Sequence, residues 1–378
     1  MFTVYYLDNA ATTRRKPFLV YMNMLRYALA SGGNAGRGNN KLSLKGINEI
    51  ISAQDTAAEL FGIDEPSNIV FTQNATYALN LAILGTLKEK DHIVVTAMDH
   101  NSVLRPAARW GRYSVAGADR NGYVSPLEIR RCIKENTAMV VSTHISNVCG
   151  TVEPIAETAR AAHNSGAVFL LDASQSAGSV EIDVNKTGID MLACPGHKGL
   201  YGPMGSGLLY IKEPERVGAV ITGGTGSESE SLFQPQSMPD KFHCGTVNLP
   251  AIAGLKEGMR FVIKEGAVNI GRYENELNRL FREELSNINN ITVYGRGESS
   301  LTAFNINGLD SNECAALLGD GIIVRAGFHC APLAHKALGT ERSGAVRVSF
   351  GYFNTKKDIK RAVDAIYSVS KNFKRKLV

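Results

Sequence analysis

Short apolar runs alternate with helix-period segments from about residue 50 to residue 220. Ile69-Val70-Phe71, His92-Ile93-Val94-Val95-Thr96, Ala138-Met139-Val140-Val141-Ser142, Val168-Phe169-Leu170-Leu171 and Gly207-Leu208-Leu209-Tyr210-Ile211 predict strands. Stretches such as 78–84 and 155–162 place apolar residues at helical spacing between them. Strand–helix alternation of this kind predicts an α/β fold with a large, mostly parallel sheet, and ligand chemistry on the loops along one edge of it.

The pattern changes after that. Residues 222–240 are rich in Gly, Ser, Glu, Gln and Pro and predict a long exposed loop. Helical spacing follows over 250–265 and 273–285. The last third predicts a smaller α+β domain: strands at 291–294, 301–306, 322–325 and 346–350, a helix near 312–318, and a final helix from 355. The expected division is a large domain over 12–255 and a small C-terminal domain over 256–378, joined by an N-terminal segment, 1–11. No internal repeat or low-complexity tract interrupts it.

Composition narrows the class without choosing a function. The 378 residues are 44% hydrophobic and 20% charged, with a net charge of +5, which suits a globular chain with a sizeable core. Lys371 to Lys376 supply much of that charge and read as a solvated helix end. No nucleic-acid motif accompanies them. The six cysteines (132, 149, 194, 244, 314 and 330) form no Cys-x-x-Cys pair, so no metal site is expected. The start lacks the regions of a signal peptide and no apolar run can span a bilayer, so a cytoplasmic protein with reduced thiols is expected.

Two stretches carry the chemistry. The apolar run 168–171 ends in Asp172, a strand-end carboxylate of the kind a pyridinium nitrogen needs as partner. Downstream comes Gly196-His197-Lys198-Gly199. A lysine between glycines suits Schiff-base formation, since glycine lets the backbone approach, and His197 can reach a phosphate. Either stretch alone could be a strand edge followed by a turn. In this order they point to a pyridoxal 5'-phosphate site. Asn74-Ala75-Thr76, ahead of a predicted helix, offers a phosphate site or a plain helix cap.

Together these motifs resemble the class V aminotransferase fold family of pyridoxal-phosphate enzymes, and within it the cysteine desulfurases and selenocysteine lyases. The likeness runs from Tyr6-Leu7-Asp8-Asn9-Ala10-Ala11-Thr12-Thr13 to Phe350-Gly351-Tyr352-Phe353. The resemblance implies a phosphate cradle at Ala75 and Thr76, and His100 stacked on the cofactor ring, where it can shuttle protons. It implies Asn147 and Gln175 near the phenolic oxygen, with Asn147 also near substrate. Arg347 would grip the substrate α-carboxylate. Thr246 would reach the phosphate of a neighbouring subunit, so a homodimer is implied. Arg325-Ala326-Gly327-Phe328-His329-Cys330 resembles the catalytic-cysteine loop in its compact form, with Cys330 the nucleophile. An exposed thiol beside His329 can hold an appreciable thiolate fraction; the competing reading is a buried structural thiol. Two positions depart from the family: Pro195 stands where many members have serine, and Asn40 stands near where the resembling branch often has histidine.

The function expected is a cysteine desulfurase that converts L-cysteine to L-alanine. Cys330 would hold the sulfur as a persulfide for a sulfur-acceptor protein or thiol. A selenocysteine lyase acting on L-selenocysteine, another enzyme of the same fold, and a silent cofactor-holding partner of a sulfur-transfer complex are the rivals.

Overall fold

A computed structural model describes residues 4–30, 33–35 and 40–376, without side-chain burial beyond Phe373. Arg37 to Asn39, beside the departing Asn40, and the last side chains of the basic tail lie outside the described residues. The strands are β1 (Tyr5–Tyr6), β2 (Ile69–Thr72), β3 (His92–Thr96), β4 (Tyr113–Ala116), β5 (Thr137–Thr143), β6 (Val168–Asp172), β7 (Met191–Pro195), β8 (Gly207–Ile211), β9 (Ile291–Tyr294), β10 (Leu301–Ile306), β11 (Ile322–Ile323), β12 (Arg325–Gly327) and β13 (Ala345–Ser349).

Seven strands form the large sheet in the order β2-β8-β7-β6-β5-β3-β4. All run parallel except β8, which is antiparallel to both neighbours. Strands β3, β6, β7 and β8 have almost no exposed residue, because apolar clusters cover the sheet on both faces. The long apolar runs in the sequence follow from that two-sided burial. The reversed direction of β8 makes residues 196–206 a tight return from β7, closed by Gly196 N–H to Ser206 O at 2.8 Å and Gly202 N–H to Gly196 O at 2.7 Å.

The small sheet, β12-β13-β10-β9, is antiparallel and covers its own core with the helices Ala267–Ser286, Ser311–Leu318 and Lys356–Lys376. β1 pairs in parallel with β11, and Asp8 bridges to Ser349, so the N-terminal segment is tied to this small sheet. Residue 255 falls inside the helix Leu249–Glu265, which packs on Phe18–Ala30 and Lys41–Phe61. The expected boundary at 255 thus falls within a helix and not in a linker. Residues 222–240 form no helix or strand and are largely exposed, as their composition predicts.

Candidate active site

The C-terminal ends of β2, β3, β5, β6 and β7 lie on one edge of the large sheet, and each delivers part of a cleft. The cleft is lined by Ala75, Thr76, His100, Asn147, Asp172, Gln175, His197 and Lys198, together with Ser102, Thr143 and Ser174. Eight expected residues therefore meet across 123 positions of chain. Parallel strands place the ends of distant segments side by side.

At the end of β2, Asn74 caps the helix Ala75–Thr86 by accepting from Tyr77 N–H at 3.1 Å. The cap and the phosphate-site readings are compatible here. The cap satisfies Tyr77, while the amides of Ala75 and Thr76 in the first turn have no intrahelical acceptor. Thr76 Oγ1 lies 2.8 Å from Ser102 Oγ, which lies 2.9 Å from His100 Nδ1. His100 is the cap of the helix Asn101–Trp110, with Nδ1 accepting from Ser102 N–H at 3.0 Å. A neutral ring in that position carries its proton on Nε2. Burial lowers its pKa, and Asp172 opposes the shift. Ser102 joins cap, hydroxyl pair and cleft; it carries no motif, and only the i+2 spacing from a helix-capping His100 could have flagged it.

Asp172 is buried at the end of β6 and accepts from Ser174 N–H at 2.9 Å. Lys198 sits on the β7–β8 return, where two glycines cross at contact distance. A Cβ on Gly178 would lie 2.0 Å from Gly199 O, and one on Gly199 would lie 2.3 Å from Ala177 O. Gly178 also has φ +92°, a region that favours glycine. Among the described residues none hydrogen-bonds or ion-pairs with the Lys198 amine. Burial, and then the positive charge of Arg347 and Arg325, lower its pKa to about 8 against the pull of Asp172. His197 is driven down to about 4 by burial and by Lys198 and Lys16, and its Nδ1 is buried without a partner. Its carbonyl accepts from Thr12 Oγ1 and Lys16 Nζ, both at 3.2 Å.

Three expected residues stand outside the cleft lining. Cys330 is exposed, with φ +55° following φ +49° at His329. Its carbonyl accepts from Asn101 N–H at 2.7 Å, and the His329 carbonyl accepts from Asn147 Nδ2 at 2.7 Å. These bonds dock the cysteine loop beside His100 and Asn147. His329, however, is no cationic neighbour for the thiol. It is buried, and burial and Arg347 bring its pKa to about 2, so it is neutral. Arg347 is buried rather than open to the cleft. Its Nη2 pairs with Asp8 at 2.9 Å, its Nη1 donates to Asn147 O at 2.8 Å, and its Nε has no partner. Arg325 Nε also pairs with Asp8, at 3.1 Å, so two guanidiniums share one carboxylate. Asp8 belongs to the N-terminal motif, and the resemblance gives it no role. Thr246 is exposed and lines a separate groove with Gln73, Tyr77 and Cys244. Gln175 lines the cleft but spends its amide on Ala10 O at 3.0 Å. Asn40 caps the helix Lys41–Phe61, accepting from Leu42 and Ser43 N–H.

Asp99 was likewise unassigned in the sequence. Fully buried, it accepts from Thr96 N–H and Thr143 N–H, both at 2.7 Å, and so ties the ends of β3 and β5 beneath His100. Burial raises its pKa to about 7 against those two bonds.

The family model for class-V aminotransferases matches residues 5–362. A probable cysteine desulfurase from Methanothermobacter thermautotrophicus is 35% identical over 94% of this chain and 92% of its own length. One from Halalkalibacterium halodurans is 34% identical over 94% and 90%. The apo structure of a cysteine desulfurase from Thermococcus onnurineus superposes with a TM-score of 0.91 at 32% identity, covering 98% of this chain and 95% of that one. An Escherichia coli cysteine desulfurase superposes with a TM-score of 0.89 at 26% identity, covering 98% and 95%.

Proposed function

The chain belongs to the class-V aminotransferase family, and from that premise we propose that it is a pyridoxal-phosphate-dependent cysteine desulfurase with Lys198 as the cofactor lysine and Cys330 as the sulfur acceptor. The observation that carries this reading is the docking of an exposed Cys330 against the elements bearing His100 and Asn147, at the rim of the cleft that holds Lys198 and Asp172.

The residues present fit the cofactor. The cleft offers an unpaired amine at Lys198, a buried carboxylate at Asp172, an orphaned Nδ1 on His197, and the free first-turn amides at Ala75 and Thr76. Ala75, Thr76 and His197 would hold the phosphate, Asp172 the ring nitrogen, His100 the ring face, and Asn147 and Gln175 the phenolic side. Thr246 of a second copy would complete the phosphate site, since this chain's own Thr246 opens on another groove. When bound, pyridoxal phosphate supplies an electron sink that makes the substrate Cα–H acidic and its C–S bond labile.

The chain's own groups do the rest. Two guanidiniums against one carboxylate leave excess positive charge, and Arg347 would take the substrate α-carboxylate by exchanging its bonds to Asp8 and the Asn147 carbonyl for it. A lysine with a pKa near 8 is partly neutral at working pH, so Lys198 can take the Cα proton and return it. His100, with its proton on Nε2, can donate from that atom. The Cys330 thiolate then attacks the substrate sulfur: the new S–S bond forms as the C–S bond breaks, its electron pair stays with carbon, and alanine leaves after protonation. The persulfide sits on an exposed residue, open to an acceptor protein or thiol.

The test is alanine release from L-cysteine. Wild-type protein should release alanine, and Cys330→Ala should bind cysteine yet fall to background. Full activity in that variant removes the persulfide route and favours a lyase that expels the chalcogen directly.

A further inference from the structure

Behind the cysteine loop lies a buried polar chain that the reaction as described does not use. The His329 side chain turns into the protein, away from the exposed Cys330 that follows it. Its Nδ1 lies 3.3 Å from His335 Nε2, the two rings stacking with centroids 5.5 Å apart and planes 14° from parallel. His335 is fully buried in the short helix Pro332–Leu338, and its Nδ1 lies 2.8 Å from Thr340 Oγ1. Thr340 is itself buried and fixed on both sides, its N–H donating to His335 O at 2.8 Å and its carbonyl accepting from Gly344 N–H at 2.9 Å. Phe328 closes the assembly edge-on against His335, at 5.4 Å. The His329 imidazole also bonds the Arg325 backbone, and among the described residues His335 is its side-chain partner.

The backbone shows why the loop needs such an anchor. His329 and Cys330 are consecutive non-glycine residues with φ of +49° and +55°. Such residues are strained and persist only where surrounding contacts over-determine them. The outside of the loop is held through its carbonyls, Cys330 O accepting from Asn101 N–H and His329 O from the Asn147 side-chain amide. Ala331, next in the chain, is fully buried. The left-handed pair therefore turns one side chain inward and the next outward, and the inward one is gripped by His335. Burial keeps both rings neutral, with His335 near 4, so the pair stacks without like-charge repulsion at neutral pH.

We infer that His335 and Thr340 are positioning residues for the nucleophile: the Thr340–His335–His329 chain locks His329 inward and thereby holds Cys330 in the left-handed conformation that presents its thiol to the substrate sulfur. The inference rests on reading Cys330 as the sulfur acceptor. Neither residue lines the cleft, so their loss should fall chiefly on the sulfur-transfer step. A displacement of about an ångström at a reacting atom is enough to cost up to about a hundredfold in rate.

Thr340→Val removes the hydroxyl at constant shape, and Thr340→Ser restores it. Thr340→Val should retain cofactor absorbance and KM for cysteine, lower kcat for alanine release about tenfold, and speed amide hydrogen exchange in the peptide 326–334. Thr340→Ser should recover most of kcat and the slow exchange. His335→Gln keeps an oxygen near the Nε2 position but loses the Thr340 link, and should behave as Thr340→Val does. It serves as the second route should valine at 340 fail to fold. Wild-type kcat in both Thr340→Val and His335→Gln would overturn the proposal. So would a parallel loss of cofactor and kcat, or a serine variant no better than the valine one. The exchange rate reads the loop whether or not Cys330 accepts sulfur, so this result is separable from failure of Cys330→Ala to lose activity.

Discussion

Lys198 and Asp172 each carry a local signature, a lysine between glycines and a carboxylate at the end of an apolar run, and the structure brings both to one cleft. The surroundings of Cys330 were not legible in the sequence. Proximity in sequence suggested that His329 would favour its thiolate, yet the backbone at 329 and 330 sends the two side chains in opposite directions, and burial leaves the imidazole neutral. Nor could the sequence tell that Arg347 shares Asp8 with Arg325, since those partners come from three distant segments. At this scale the test is covalent. Borohydride reduction of the holoenzyme should fix the cofactor to the peptide containing Lys198. Lys198→Ala should take no label and lose alanine release by at least about a hundredfold, the lower range for a proton-transfer group. Label on another lysine would remove Lys198 from its role.

The elements that carry the site were mostly predicted, and the misses have physical causes. Strands β3, β8, β9 and β10 begin and end where their apolar runs do. The expected strand 322–325 splits into β11 and β12, which join different sheets. β7, Met191-Leu192-Ala193-Cys194-Pro195, has no clear strand pattern because alanine and proline are poor strand formers, although the strand is wholly buried beside the central β6. β4 is a four-residue edge strand, partly exposed, with little periodicity to read. What joins β3 to β5 at the active edge, besides their ladder, is the Asp99 carboxylate with its two backbone bonds. Asp99→Asn can accept only one of them and leaves a buried amide N–H group facing another donor. It should cost about 1–3 kcal/mol, read as a lower thermal midpoint, and should lower kcat through His100. An unchanged midpoint would mean the β3–β5 edge holds without it.

For the whole molecule, burial sets an expected pH dependence. His144, His197, His243 and His335 are lowered to about 4 and His329 to about 2, chiefly by burial. The unfolded chain binds these protons first, so stability should fall as pH drops below their ordinary value of 6.5 toward 4. Asp99, raised to about 7, and Glu153 and Glu274, raised to about 8, act oppositely: they stay protonated when folded, and stability falls as pH rises through those values. The apoprotein's thermal midpoint should therefore peak near pH 6.5 and fall toward pH 8, above which Lys16 and Lys198, lowered to about 8, add stability back; a midpoint that rises steadily from pH 6.5 to pH 8 would contradict these assignments. No described helix is long and apolar enough to cross a membrane. The exposed setting of Thr246 makes the assembly testable as well. Thr246→Val should weaken cofactor retention without unfolding the chain, and a fully active, cofactor-replete monomer would dismiss a shared site. The central claim is that sulfur leaves cysteine onto one particular thiol, and a single turnover tests it most directly. After holoenzyme is mixed with one equivalent of L-cysteine and quenched, peptide mass analysis should find one added sulfur atom on the Cys330 peptide, matched by one alanine, with Cys132, Cys149, Cys194, Cys244 and Cys314 unmodified. Alanine formed in full with free sulfide and an unmodified Cys330 would contradict the account.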